Sequence, residues 1–212
     1  MPKTKKKMTP PNIDMTPMVD TLCVVLTFLM LTAQMRQPEP VNVETPFSIS
    51  EMPIPDFNQM IFLLSVDGHV FMNFDNGPDT LLKYRPKILA EMGALYNIEF
   101  SEEELRTFEK FPSSIGVPIQ NMQEFLRYSG AGDYRDEYQV GIPIDSADNQ
   151  LSMWILCARQ VNPNIRASIR GDSHTSFAVV ETILDILQDR NVNRFNLITS
   201  LATATINLDE IE

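Results

Sequence analysis

Residues 18–35 read MVDTLCVVLTFLMLTAQM; 13 of these 18 side chains are apolar, and Asp20 is the one charge among them. No other stretch of the 212-residue chain compares. A helix rises about 1.5 Å per residue and the hydrocarbon core of a bilayer is about 30 Å thick, so a helix over residues 17–36 is just long enough to cross once. Thr16 can cap such a helix, and Pro17 suits its first turn, where proline's missing N–H has no partner to lose. Arg36 closes the other end. A cleaved signal peptide competes for the same segment, because a Lys-rich start precedes the apolar run. The charge of Asp20 inside the span and Leu31 in place of a small residue two before Ala33 make a poor cleavage site. Leu22 before Cys23 also spoils a lipoprotein-type site. The expectation is an uncleaved anchor.

Charge is segregated around this segment. The chain carries 17 basic and 28 acidic residues, a net −11. Lys3, Lys5, Lys6 and Lys7 all fall in the first eight residues, which contain no acid, so residues 9–212 carry −15. The positive-inside bias puts the lysines in the cytoplasm and the bulk of the chain across the membrane, which in a bacterium is the periplasm. An acidic bulk offers no large cationic face to neutralise phosphates, so no nucleic-acid partner is expected. With 43% apolar and 21% charged residues, wholesale disorder is excluded. Cys23 and Cys157 lie far apart with no Cys or His cluster near either, so no disulfide framework, metal site or cofactor is expected, and both read as small apolar packing residues.

A carboxylate within a spanning helix costs roughly 2.5–3.5 kcal/mol at mid-helix, so it normally faces a partner helix or a wet cavity. At helical spacing Thr16, Cys23, Thr27 and Gln34 fall within about 60° of Asp20, whereas Thr21 and Thr32 point elsewhere. One face is therefore polar along its length, which predicts association with other membrane helices and a titratable group at their interface. Two readings of Asp20 follow. It complements the helix dipole near the headgroups while the threonines bond back to their own helix. Or it carries protons, since desolvation raises a carboxyl pKa and makes binding and release feasible.

Beyond the apolar run, Pro38, Pro40, Pro46, Pro53 and Pro55 fall within 18 residues, a density that prevents helix and central strand and makes a semi-extended tether. Residues 41–49 alternate enough to add as a strand on an exposed sheet edge. Residues 60–65 and 69–74 flank Asp67 and Gly68 as a β-hairpin. Residues 81–96 and 101–111 read as helices, the second opening with Ser101 and Glu104 at capping-box spacing. Residues 148–161 form another helix, followed by a strand over 165–170. Phe177, Val180, Ile183, Leu184 and Leu187 then give residues 176–189 one apolar face, and a last strand covers 194–202. His69 and His174 each lie beside turn residues and are expected to be solvated. Arg170, Gly171 and Asp172 fit a strand-to-helix turn, and Trp154 with the methionines is expected in the core.

The run NIDMTPMVDTLCVVLTFLMLTAQM (residues 12–35) resembles the start of the ExbD/TolR biopolymer-transport family, with its Thr-Pro-x-x-Asp lead into one membrane helix. The run NIRASIRGDSHTSFAVVETILDILQDRNVNRFNLITS (residues 164–200) is similar to the strand, helix and strand that close that family's periplasmic domain. The hairpin over 61–74 is a weaker match. The resemblance implies that Asp20 is the proton-carrying aspartate. It also implies an inner-membrane motor in which two ExbD-like subunits sit inside a ring of multi-pass ExbB-like subunits and pass force to a TonB-like protein. Thr27 stands where an aliphatic residue is expected, and residues 83–147 exceed the family's usual connection.

The fold expected is α+β: a basic cytoplasmic tail (1–16), a single N-terminal transmembrane helix (17–36), a Pro-rich periplasmic linker (37–58) and a small periplasmic domain (59–205) with a helical insertion at about 83–147. The function expected is energy transduction without covalent chemistry: Asp20 translocates protons, and Thr16, Thr27 and Gln34 line the subunit interface. The alternative is a passive membrane-tethered domain that binds cell wall or another envelope protein without proton coupling.

Overall fold

A computed structural model describes residues 15–33, 39–49, 52–53, 55, 57–77, 82–130, 136–145 and 148–201. The chain divides into two compact units, Met1–Gln37 and Pro38–Glu212.

The first unit holds helix α1, Thr16–Thr32, with a proline in its first turn. The helix ends at Thr32, where Ala33 is extended and its N–H donates to Leu29 O; residues 34–36 of the expected span lie outside the described residues. Seventeen residues rise about 25 Å. Among the described residues, no helix is long and apolar enough to cross a membrane. Thr16 stands inside the helix and does not cap it; Met15 is the capping residue and makes no side-chain cap bond. Every residue of α1 is exposed within the unit.

The second unit is built on a four-stranded sheet in the order β3-β2-β4-β5, formed by Gln59–Leu64 (β2), Val70–Phe74 (β3), Arg166–Gly171 (β4) and Phe195–Leu197 (β5). Strands β2 and β3 form the expected antiparallel hairpin, closed by Gly68 N–H to Ser65 O, with Gly68 at φ +82°. That conformation suits glycine, which has no Cβ to clash. Strands β2, β4 and β5 run parallel, and α6 (Phe177–Asp189) connects β4 to β5. Met60, Phe62 and Leu64 alternate onto one face and meet helices α2 (Tyr84–Tyr96) and α5 (Gln150–Val161) in a single core. Trp154 is fully buried there, stacked at 6.2 Å on Phe108 and tilted at 5.9 Å against Phe74.

The long middle region packs on this sheet as helices α2, α3 (Glu102–Lys110) and α4 (Met122–Gly130). Helix α2 begins at Tyr84, later than the spacing predicted, because Pro86 belongs in a first turn where its lacking N–H breaks no ladder bond. The α3 capping box forms in full: Glu104 N–H donates to Ser101 Oγ at 3.3 Å, and Ser101 N–H donates to Glu104 Oε2 at 2.9 Å. Asp148 draws three elements together by accepting from Gln150 Nε2, Tyr96 Oη and Gln120 Nε2. Arg85 is buried over the Phe108 ring at 5.3 Å and donates to Phe111 O; burial pushes its pKa down to about 10, with Asp75 and Glu109 acting the other way.

The middle region also closes one edge of the sheet. Met72 and Ile115 exchange both backbone hydrogen bonds, and Ile142 N–H donates to Val70 O, so strand β3 has its outer side paired. Gly116 is required there: a Cβ would sit 2.2 Å from the Phe71 ring. Helix α4 and this edge pairing are not among the elements that periodicity predicted.

The last expected strand is broken in two. After β5 the chain leaves the main sheet, and Ser200–Leu201 (β6) pairs in parallel with Phe47–Ser48 (β1). The reason is a competing partner: Ser200 N–H donates to Pro46 O in the tether. Only two of residues 41–49 become strand.

Candidate functional site

Asp20 lies in the second turn of α1, exposed on the same helical face as Thr16, Cys23 and Thr27. Gln34, the fourth polar residue expected on that face, lies outside the described residues. The threonine hydroxyls turn inward to the helix: Thr21 donates to Pro17 O at 2.7 Å, Thr27 to Val24 O at 2.9 Å and Thr32 to Phe28 O at 2.9 Å. Such back-bonding lets polar residues stand in an apolar environment with no unsatisfied donor. Asp20 is the one charged side chain of α1, surrounded by Val19, Leu22, Val24 and other large apolar groups that are each more than half exposed.

The two cysteines separate. Cys157 is buried in α5, which pushes its thiol up to about 11, while Cys23 is exposed on α1. Among the described residues, no group of His, Cys, Asp and Glu is arranged to hold a metal.

A second constellation, which the sequence reading missed, joins the tether to the domain. Asp172 is 8% exposed and its carboxylate accepts the N–H of Glu44 at 2.8 Å and the N–H of His174 at 2.9 Å. These backbone donors, with His174 Nδ1 at 3.2 Å as a smaller cause, hold its pKa below the usual carboxylate range. Ser173 N–H returns a bond to Glu44 O, so both backbone groups of Glu44 are taken. Thr45 and Ser200 join their hydroxyls, and Arg170 grips Glu39 through Nη1 at 2.8 and 3.1 Å. The available signal was Asp172 itself: Asp followed by Ser-His-Thr favours a side chain bonding backbone two residues on, as His174 N–H shows.

The adjacent Asp172, Ser173 and His174 do not form a nucleophilic triad. Ser173 Oγ and Asp172 Oδ1 both address His174 Nδ1, at 3.1 and 3.2 Å, whereas a relay needs base and orienting acid on different ring nitrogens. His174 is exposed as expected, and His69 likewise.

One apolar helix with a single carboxylate precedes a proline-rich segment that docks on a mixed α+β domain. The sequence pattern of the family described as "Biopolymer transport protein ExbD/TolR" matches residues 6–202, nearly the whole length, and the chain belongs to this family. Neither a curated protein nor a solved structure matches the chain. Members of the family are non-enzymatic transport components associated with the inner membrane, and they work with ExbB/TolQ-type and TonB/TolA-type partners.

Proposed function

We propose that this protein is the ExbD-like subunit of an inner-membrane motor that uses the proton gradient to power TonB-dependent transport at the outer membrane. The observation that carries the reading is Asp20: one carboxylate on an otherwise uncharged, apolar helix, in a chain of this family. In this reading residues 1–16 are cytoplasmic and residues 17–36 form the anchor. Residues 37–58 are the periplasmic linker, and residues 59–205 the periplasmic domain with its insertion at 83–147. A helix somewhat shorter than the hydrocarbon core is accommodated by local thinning of the bilayer and by flanking residues that reach the headgroups. Two copies sit within a ring of ExbB-like subunits. Asp20 is ionised in one ring position and protonated in another, and Thr16, Thr27 and Gln34 line the interface. Moving one charge through the membrane potential releases about 2.3 kcal/mol per 100 mV, which biases the ring position preferred. Force passes through the tether to a TonB-like partner.

The test is Asp20→Asn in cells that depend on an energised outer-membrane transporter. The expected result is loss of uptake, with the complex still co-purifying with its multi-pass subunit. Uptake at the wild-type rate would sink this reading and leave the passive tethered domain.

A further inference from the structure

The parallel strands β4 and β5 begin side by side, and the register pair Ala167 and Phe195 brings the preceding residues, Arg166 and Arg194, next to each other. Neighbouring strands lie about 4.8 Å apart, so two guanidinium-bearing residues stand at lateral spacing on the same side of the sheet. Both are exposed, and among the described residues neither side chain has a hydrogen-bond or ion-pair partner. Like charges directly opposite one another on neighbouring strands are destabilising. In a chain of net −11, with 28 acidic residues to draw on, an unneutralised arginine pair is an anomaly.

The pair opens onto a cleft of about 830 Å³, and no Asp or Glu is among the described residues that line it. A third arginine, Arg159, forms part of its wall, where Nη1 is held by Arg190 O and Asn191 O. Four asparagines add amide groups to the lining, and two of them, Asn58 and Asn191, hold positive φ at 59° and 58°. Asn191 takes that conformation as the left-handed residue that ends α6, with Val192 N–H donating to Leu187 O. Phe57, Pro163 and Val192 supply apolar wall between the polar groups. Phe57 and Asn58 are the last residues before β2, so an occupant of the cleft touches the end of the tether and the α6–β5 turn at once.

We propose that this cleft binds an acidic peptide segment of a partner protein, with carboxylates on Arg166 and Arg194 and apolar side chains against Phe57 and Pro163. Paired guanidiniums take carboxylates through charge-assisted, bidentate hydrogen bonds. The volume and apolar walls of the cleft favour a peptide over a bare anion, which would leave most of it wet. This site is independent of Asp20.

The experiment uses the full-length chain in mild detergent and a fluorescein-labelled tetraglutamate peptide, read by anisotropy at low salt. Saturable binding is expected, weakened by about tenfold or more in the double variant Arg166→Glu with Arg194→Glu, and unchanged in Arg106→Glu, on the exposed face of α3. In the wild-type chain, bound peptide should shift the amide resonances of Asn58, Asn191 and Asn193, which needs no variant to fold. The proposal is overturned if the peptide does not saturate or if the double variant binds it equally. It is also overturned if the resonances that move lie elsewhere, or if inorganic phosphate or phosphatidylglycerol vesicles displace the peptide at equal charge concentration.

Discussion

Asp172 accepts the backbone N–H of Glu44 at 2.8 Å across 128 positions of sequence, and this bond holds part of the proline-rich segment on the domain. Residues from Glu39 to Ser48 are held on the domain by the Arg170 ion pair, the Asp172 turn and the β1–β6 pairing. A segment that composition marks as a spacer is therefore partly a docked strap.

Replacing Asp172 with Ala removes the acceptor for two backbone N–H groups. The Glu44 amide should then exchange with solvent about tenfold faster or more, while core amides such as that of Phe62 keep their wild-type rates, because the strap opens without global unfolding. Hydrogen exchange read by mass spectrometry or NMR checks this.

Acid should open the same strap. The folded pKa of Asp172 is depressed, so its contribution is fully present above the unfolded carboxylate value and is lost as pH falls through the lower folded value. Glu44 exchange, corrected for its intrinsic pH dependence, should rise only below the usual carboxylate range. Asp172→Asn should flatten that profile; a rise that persists in this variant assigns the acid sensitivity to another group.

Truncating Trp154 to Ala should cost about 3–5 kcal/mol, because the indole is fully buried between Phe74 and Phe108 and the surrounding helices cannot collapse into the space. Trp154→Phe should cost less. Thermal or urea denaturation of the two variants measures the difference.

Arg85 separates charge from packing. Arg85→Met keeps the stem over Phe108 and removes a buried cation whose Nε has no hydrogen-bond partner among the described residues, so its stability should equal the wild type or exceed it by about 1–4 kcal/mol. Arg85→Ala loses the packing as well and should melt below both. Arg85→Met melting below the wild type would show that the bond to Phe111 O outweighs desolvation.

Ser101→Ala should destabilise the domain by about 0.5–2 kcal/mol, since it leaves the Glu104 N–H without its cap acceptor. Equilibrium unfolding with denaturant gives the value directly.

The sequence by itself determined the elements whose information is local. The apolar run around Asp20, the Asp67-Gly68 hairpin, the Ser101 and Glu104 box and the 3.6-residue periodicity of α6 are each written in a short window, because capping, turn geometry and amphipathic spacing depend on near neighbours. It also placed Asp20, since a lone charge in an apolar run stands out in one dimension. What only the tertiary structure decided is every partner chosen across distance: Glu44 for Asp172, Ile115 for Met72, Pro46 for Ser200, and Arg194 beside Arg166. The physical reason is that backbone donors and acceptors are chemically alike at every residue. Which pair forms is set by the packing of the whole domain around Trp154, and no window of sequence contains that competition.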